Sequence, residues 1–477
     1  MVKKNVIWIF GDQHRAQALG CNGNKDIQTP NLDEIAKNGV NFNKAVAGFP
    51  LCCPFRGSLL TSKYPHQDGA VPGHQYRMDP NAPTIAKIFN EAGYDTAYFG
   101  KWHVDGYKEE KGGVSTHIVP PNRRGGFKVW MGYENNNKQW DTYVHGFDGG
   151  KEVKPYKLPD FETNELTNLL IKYLKNIPSH NENKENLNEN KPFFAIMSVQ
   201  PPHNPYWAPE EFMDRYFDES FIPRKLNLRE NVPRLPHVLN QVNRDLAGAY
   251  AMIENLDWNV GRIIEELKEQ NLLESTYIVF FSDHGDMHGS HGHFRKTTPY
   301  EESLRIPFII GGGKMSRPTG NEADVIMNHV DIAPTTLGLC GIPVPDWMQG
   351  TDYSYFCTGE RKPEAIPESA YIQSVISTGH HDCVDKPWRG IVTREGWKYV
   401  CFEDTEWMLF NINKDPYELQ NLAHYCANKG IKEELNAKLK NWIEETGDDF
   451  SLPDLEKRYA DIEESNKIST LKEFLAR

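Results

Sequence analysis

Five stretches of the chain are apolar almost without a break: 5–10 (NVIWIF), 95–100 (DTAYFG), 192–199 (PFFAIMSV), 276–282 (TYIVFFS) and 305–312 (RIPFIIGG). A strand with one wet face alternates apolar and polar residues. A continuous run is what a strand covered on both faces requires. Between these runs, apolar residues recur at three- and four-residue spacing and predict helices over 29–39, 82–93, 162–177 and 241–271. Gly39 and Gly93 stand where the first two should close. Strand–helix alternation of this kind predicts a doubly wound α/β sheet.

The pattern changes after 329–345 (HVDIAPTTLGLCGIPVP). A turn-rich linker runs to about residue 365. Residues 388–402 and 407–412 then read as antiparallel strands, and a helix is expected near 430–445. The expected division is a large domain over 1–365 and a small α+β unit over 366–477, as a length of 477 residues favours. An Asn-rich polar insertion at 179–191 reads as a surface loop without chemistry.

Composition narrows the function. The net charge is −13 and the chain has no block of Lys or Arg, which excludes nucleic acid as a partner. An anionic substrate must therefore be held by a local cluster of cations. Aromatic residues make up 12%, with 11 Trp and 21 Tyr, which suits a ring-shaped substrate. No run of 18 apolar residues exists, so no membrane span is expected. The chain passes from Met1 straight into NVIWIF, too early and too short for the apolar part of a signal peptide, so a cytoplasmic location is expected. The eight cysteines show no metal-site spacing and read as mostly free thiols.

Candidate chemistry begins at FPLCCPFRGSLLTSKYPH (49–66). Pro54 suits the first turn of a helix, which places Cys52 near the N-terminal cap. There, unpaired N–H groups favour an anion and a reactive side chain. Arg56 follows one turn later on the same side. Two small buried residues before a proline are the plainer reading, so other residues must decide. Asp12 and Gln13 follow the first strand directly; Asp283 and His284 follow another. Ligands of open α/β sheets bind beyond the carboxyl ends of strands. These two pairs can therefore converge on one cation. Oxygen ligands suggest Ca²⁺ or Mg²⁺, while the imidazole leaves Mn²⁺ or Zn²⁺ open. His288, His291 and His293 read as a His-rich loop rather than a zinc cluster, and GGGK (311–314) lacks the spacing of a phosphate loop.

CCPFRGSLLTSKYPH resembles the signature of the type I, formylglycine-dependent sulfatases of the alkaline-phosphatase superfamily. GDQHR (11–15), GKWH (100–103), QPPHNPY (200–206), FSDHGDMHG (281–289), HFRKTTPYEESLRIPFII (293–310), HVDIAPT (329–335) and LFNINKDPYELQNLA (409–423) match in the family's order. The resemblance implies a large mixed, mostly parallel sheet flanked by helices, with a small C-terminal unit whose antiparallel sheet closes one side of the cleft. It implies that a separate maturation enzyme oxidises Cys52 to formylglycine, with Cys53 at the variable position. Phe55 departs from the usual Ser or Ala and bears on the efficiency of that maturation.

The roles implied follow the chemistry. One hydroxyl of the hydrated aldehyde attacks sulfur and the other expels sulfate, so one hard step becomes two. Asp12, Gln13, Asp283, His284 and residue 52 hold the metal, with Ca²⁺ the first choice and Mg²⁺ or Mn²⁺ open. Arg56, Lys101 and Lys296 face the sulfate oxygens. His103 is the expected base for expelling sulfate; His203, with Lys296, is the expected donor to the leaving alcohol. His380, His381, Trp388 and Arg389 are candidates for contact with a sugar. The expected reaction is hydrolysis of a sulfate monoester on a sugar, by an exo-acting carbohydrate sulfatase of the N-acetylglucosamine-6-sulfate type. Aryl or choline sulfate, and a phosphonate monoester or phosphodiester, are the alternatives.

Overall fold

Strand β1 (Asn5–Asp12) is buried along its whole length, and its side chains divide between two cores. In the computed structural model, residues 3–107, 117–177, 191–313, 315, 321–360, 362–363, 365–380, 384–456 and 459–460 are described. The insertion expected over 179–191 lies almost wholly outside them. β1 occupies the middle of a ten-stranded sheet with β2 (Val40–Asn41), β4 (Asp95–Lys101), β5 (Val129–Tyr133), β6 (Tyr143–Asp148), β7 (Lys151–Lys157), β8 (Phe193–Pro202), β9 (Thr276–Ser282), β10 (Phe308–Gly312) and β11 (Asn321–Glu322). The order is β11-β2-β10-β9-β1-β8-β4-β5-β6-β7. Strands β9, β1, β8, β4 and β5 run parallel; antiparallel pairing continues through β10 and β2 on one side and β6 and β7 on the other, and β11 ends the first side parallel to β2. The sheet is therefore mixed but parallel at its centre. β3 (Ala45–Val46) pairs with β12 (Met327–Asn328) apart from it.

Both faces of the sheet are covered, which explains the continuous apolar runs. Ile7 and Ile9 point to one face, where α1 (Pro30–Asn38), α4 (Glu162–Asn176) and α6 (Pro236–Glu269) bring Leu32, Leu170 and Val260 against them. Val6, Trp8 and Phe10 point to the other. There α2 (Cys52–Thr61), α3 (Ile85–Glu91) and α8 (Ile332–Leu339) supply Phe55, Phe89 and Leu337. Burying each Ile or Phe contributes about 1.5–3 kcal/mol. The short helices α5 (Glu210–Met213), α7 (Glu301–Leu304) and α9 (Tyr355–Thr358) sit in the connections.

The C-terminal unit is an antiparallel meander, β13 (Ser369–Ser374), β14 (Trp388–Thr393), β15 (Trp397–Cys401) and β16 (Glu406–Asn411), followed by α10 (Lys429–Thr446). One face packs on α10 through Tyr371, Ile391 and Leu439; the other meets Val46, Leu304 and Ile326 of the large domain. Polar ties reinforce that junction. The fully buried Lys398 donates to Glu301 and Glu418, each at 2.7 Å, and the Trp388 indole donates to the Thr297 carbonyl at 3.3 Å.

The strand β14 corrects two expectations. Trp388 is wholly buried in this junction. Arg389 makes a two-pronged pair with Asp448, Nε to Oδ2 at 2.6 Å and NH2 to Oδ1 at 3.0 Å, and also donates to the Ser374 carbonyl at 2.9 Å. Neither can reach a sugar, because the strand that carries them is covered on both sides. His381 lies outside the described residues.

Candidate active site

Strands β9, β1, β8 and β4 are parallel neighbours, so their carboxyl ends share one edge of the sheet. Gly11 is in register with Ser282, and this brings Asp12 and Gln13 beside Asp283 and His284. β4 ends on Lys101, two residues before His103, and β8 ends on Pro202, next to His203. Gln13 and His103 both leave their strands with a left-handed backbone, φ 69° and 57°. Such strain persists only where surrounding structure imposes it. Helix α2 begins at Cys52, with Leu51 as its cap, and aims its N-terminus into this ring.

The sulfur of Cys52 is at the centre. It lies 3.1 Å from His284 Nε2, 3.1 Å from Lys296 Nζ and 3.6 Å from Asp12 Oδ1. Lys101 Nζ donates to Asp12 Oδ2 at 2.6 Å. Arg56 donates through Nε to Asp283 Oδ2 at 3.1 Å, and through NH1 to the Lys101 carbonyl and Ser198 Oγ at 2.8 and 2.7 Å. All these side chains are buried. Burial opposes a charge on Asp12, but Lys101 and Lys296 outweigh it and hold its carboxyl well below the usual range. Burial and Asp12 oppose ionisation of the Cys52 thiol; Lys296, His284 and Lys101 nevertheless bring it below its ordinary value. Burial, with Lys296 or Lys101 close by, holds His203 and His103 well below the usual imidazole value, so both rest neutral.

The donor set can hold a cation. Asp12, Cys52, Asp283 and His284 each present a ligand atom within 4.8 Å of the others. Gln13 adds an oxygen. Its amide Nε2 donates to Asp286 Oδ2 at 2.5 Å and to Tyr206 Oη at 3.4 Å, while its buried Oε1 has no hydrogen-bond partner among the described residues. A buried acceptor without a hydrogen bond is available to ligate a cation.

Asp286 and Tyr206 are the residues that sequence reasoning missed. Tyr206 donates to Asp286 at 2.5 Å, and Asp286 also accepts from the backbone N–H of His288 and Arg295, each at 3.0 Å. Burial opposes its charge, yet His288, Arg295 and Tyr206 draw it down to about 2. It fixes the Gln13 amide so that oxygen, not nitrogen, is left for a cation. Its only signal was its place in FSDHGDMHG, three residues after Asp283.

Of the candidate sugar contacts, His380 does come to the rim: its Nε2 is 3.4 Å from His74 Nε2, and the His74 ring stacks on His103. Phe55 faces away from the site and stacks on His329 with ring centroids 5.3 Å apart. His288, His291 and His293 stay a loop: His288 turns to Asp286 and His291 stacks on Tyr300.

Residues 4–342 match the family model described as Sulfatase, which covers the whole central sheet and every residue of the ring. The chain belongs to the sulfatase family. It is a sulfuric-ester hydrolase with the alkaline-phosphatase-like fold of its relatives. Residues 289–445 also match the model described as N-sulphoglucosamine sulphohydrolase, C-terminal. An ulvan-active sulfatase of Formosa agariphila is 32% identical, over 95% of this chain and 83% of its own. An endo-4-O-sulfatase of Bacteroides thetaiotaomicron is 30% identical, over 93% and 92%. A solved structure from a study of glycosaminoglycan metabolism by the same bacterium superposes with a TM-score of 0.81 at 27% identity, covering 96% of this chain and 99% of that one. Sulfatases generally work with a metal ion and a formylglycine, and the ring here offers a group of side chains that could hold a cation.

Proposed function

We propose that this sulfatase removes a sulfate monoester from the end of a carbohydrate chain, with N-acetylglucosamine-6-sulfate as the model substrate. The observation that carries the sulfate assignment is the pair Lys101 and Lys296, two buried ammonium groups that flank residue 52 together with Arg56. Charge-assisted hydrogen bonds to a sulfate oxygen are roughly twice as strong as neutral ones. The whole ring is buried, so the scissile group must project into a recess, which suits a substituent on a terminal sugar. A sugar is favoured by the exposed aromatic residues beside His203. Trp207 stacks on Phe221, and Trp140, whose indole donates to the Trp207 carbonyl, follows Gln139, which holds the His203 carbonyl. Likeness to carbohydrate sulfatases supports the same class.

Asp12, Gln13, Asp283 and His284 would hold the metal, with Ca²⁺ favoured by the oxygen donors. Bound there, the cation polarises a sulfate oxygen and the nucleophile. Cys52 is the residue assigned to conversion by a maturation enzyme; the formylglycine hydrate supplies the attacking hydroxyl. Arg56 is held by Asp283, Ser198 and the Lys101 carbonyl, so its charge is in place before substrate arrives. His103 rests neutral with a buried Nδ1 that has no partner among the described residues, ready to take a proton. His203 Nδ1 is 2.8 Å from the Asn204 carbonyl, which assigns the proton to Nδ1 and leaves Nε2 for the cleft. A neutral Nε2 must first collect a proton before it can donate one to the leaving alcohol.

The test compares kcat/KM on formylglycine-loaded enzyme for sulfated mono- and disaccharides, an aryl sulfate, choline sulfate and matched phosphonate and phosphodiester substrates. The expected order places a sulfated sugar first. A preference for either phosphorus substrate would overturn the assignment, and a preference for aryl or choline sulfate would overturn the carbohydrate.

A further inference from the structure

Cys53 follows the central cysteine in the chain, yet its sulfur faces a different set of groups. Its Sγ lies 3.0 Å from His74 Nδ1. The His74 ring stacks on that of His103, centroids 5.1 Å apart and planes 22° apart. The donor atoms of Cys53, His74 and His103 all lie within 4.8 Å of one another. Cys53 and His103 are buried and His74, with His380 beside it, is half-buried. The Nδ1 of His103 is buried and without a hydrogen-bond partner among the described residues.

One sulfur and two imidazoles form a softer donor set than the oxygen-rich ring around Cys52. Zinc takes thiolate sulfur at about 2.3 Å and imidazole nitrogen at about 2.0–2.1 Å, which sets tetrahedral donors roughly 3.5 Å apart. The Cys53–His74 pair is already close to that spacing at 3.0 Å, and the His103 donor lies within 4.8 Å of both. We propose that Cys53, His74 and His103 form a second metal site, selective for Zn²⁺ or a similarly thiophilic ion, and that filling it shuts the enzyme off by engaging His103. The bonds formed are Zn–S and two Zn–N; the Cys53 thiol proton passes to solvent, and no oxidant or reductant is needed. The inhibitory half rests on His103 acting as a base, whereas the binding half does not.

The experiment uses full-length, formylglycine-loaded enzyme saturated with Ca²⁺, so that neither Cys52 nor the hard-cation site competes. Co²⁺ is titrated in and the near-ultraviolet thiolate-to-cobalt band and visible d–d bands are followed; Zn²⁺ is then added to displace it. The expected result is one equivalent of tetrahedral, thiolate-bound Co²⁺, displaced by Zn²⁺, with activity falling in parallel. Cys53→Ser should remove the thiolate band, and His74→Ala should weaken Zn²⁺ at least tenfold. Circular dichroism verifies folding, and activities are normalised to formylglycine content. Absence of a thiolate band in the Ca²⁺-loaded enzyme, or a band unchanged in Cys53→Ser, would overturn the site. Zn²⁺ bound with full activity retained would overturn the inhibitory half and place the failure in the role of His103.

Discussion

Replacing Arg389 with Met should destabilise the protein without changing how it binds substrate. The side chain is 3% exposed and that of its partner Asp448 is 0% exposed. The guanidinium makes both bonds of the carboxylate pair, caps the Ser374 carbonyl, and lies over the Phe450 ring, 4.7 Å from its centroid. Met fills much of the volume but leaves Asp448, among the described residues, with the Tyr371 hydroxyl at 2.7 Å, His66 at 3.4 Å and the Phe450 N–H at 3.2 Å. Breaking a buried pair by removing one member costs about 3–5 kcal/mol. At ~2.1 cal/mol/K of unfolding entropy per residue, a cooperative unit of this size loses roughly 1 °C per kcal/mol, so Tm should fall by about 3–5 °C. Replacing both residues, Arg389→Met with Asp448→Asn, should recover much of the loss, since no unpaired charge remains. The pH dependence follows from the sign of the shift. Burial opposes the Asp448 charge, but the bonds from Arg389 prevail and depress its carboxyl. The pair's contribution is therefore complete above about pH 4, the ordinary value for Asp, and is lost as pH falls through the lower folded value. Differential scanning fluorimetry between pH 3 and 8, beside kcat and KM on a sulfated sugar, measures both sides. An unchanged Tm with a KM raised tenfold would return Arg389 to the substrate and refute the reasoning.

Cys52→Ala should abolish turnover while Tm stays within a few degrees of the parent, and peptide mass spectrometry should find formylglycine at 52 and not at 53; the reverse would mean that the register of the site is wrong. Lys101→Ala removes the ammonium 2.6 Å from Asp12 and should lower kcat/KM by about 10²–10³ on a sulfate ester, with a smaller loss on a phosphonate. Equal losses on both would argue against Lys101 as the discriminating cation. Asp286→Ala frees the Gln13 amide and should weaken Ca²⁺ binding about 10–100-fold by calorimetry, with excess Ca²⁺ restoring activity. Prolonged chelation should remove activity and lower Tm together, and elemental analysis that finds no metal in active enzyme would rule the site out.

The chemistry of the site was more legible in the sequence than its supports. The central strands could be read because burial on both faces removes the polar interruptions. Helix α2 could be read because Pro54 suits a first turn, and the helix does begin at Cys52. Asp12/Gln13 and Asp283/His284 announced themselves by position, directly after apolar runs. What the sequence does not carry is register and facing. Asp286 meets Gln13 across 273 residues, and Cys53 meets His74 only because the loop after α2 folds back. Trp388 and Arg389 misled for a physical reason. Adjacent residues on a strand point to opposite faces, so one aromatic and one cation side by side look like a sugar platform. Here one face belongs to the junction with the large domain and the other to α10.

The Lys398 bridge ties the last third of the chain to the fate of the first. Glu301, which Lys398 neutralises, lies five residues after Lys296, and the Thr297 carbonyl that receives the Trp388 indole is next to it. The loop that brings an ammonium to residue 52 is therefore clamped from behind by the meander. Opening the meander would take Lys398 from Glu301, leaving Arg305 as its neighbouring cation, and loosen Lys296 at the same moment. The two units are in this sense one cooperative folding unit, and local opening of either is penalised in the other. Product sulfate held at Lys296 would draw down the population of partly unfolded chains throughout the molecule. Occupancy of the catalytic centre and resistance of the distant C-terminal helix to proteolysis would then rise and fall as a single equilibrium.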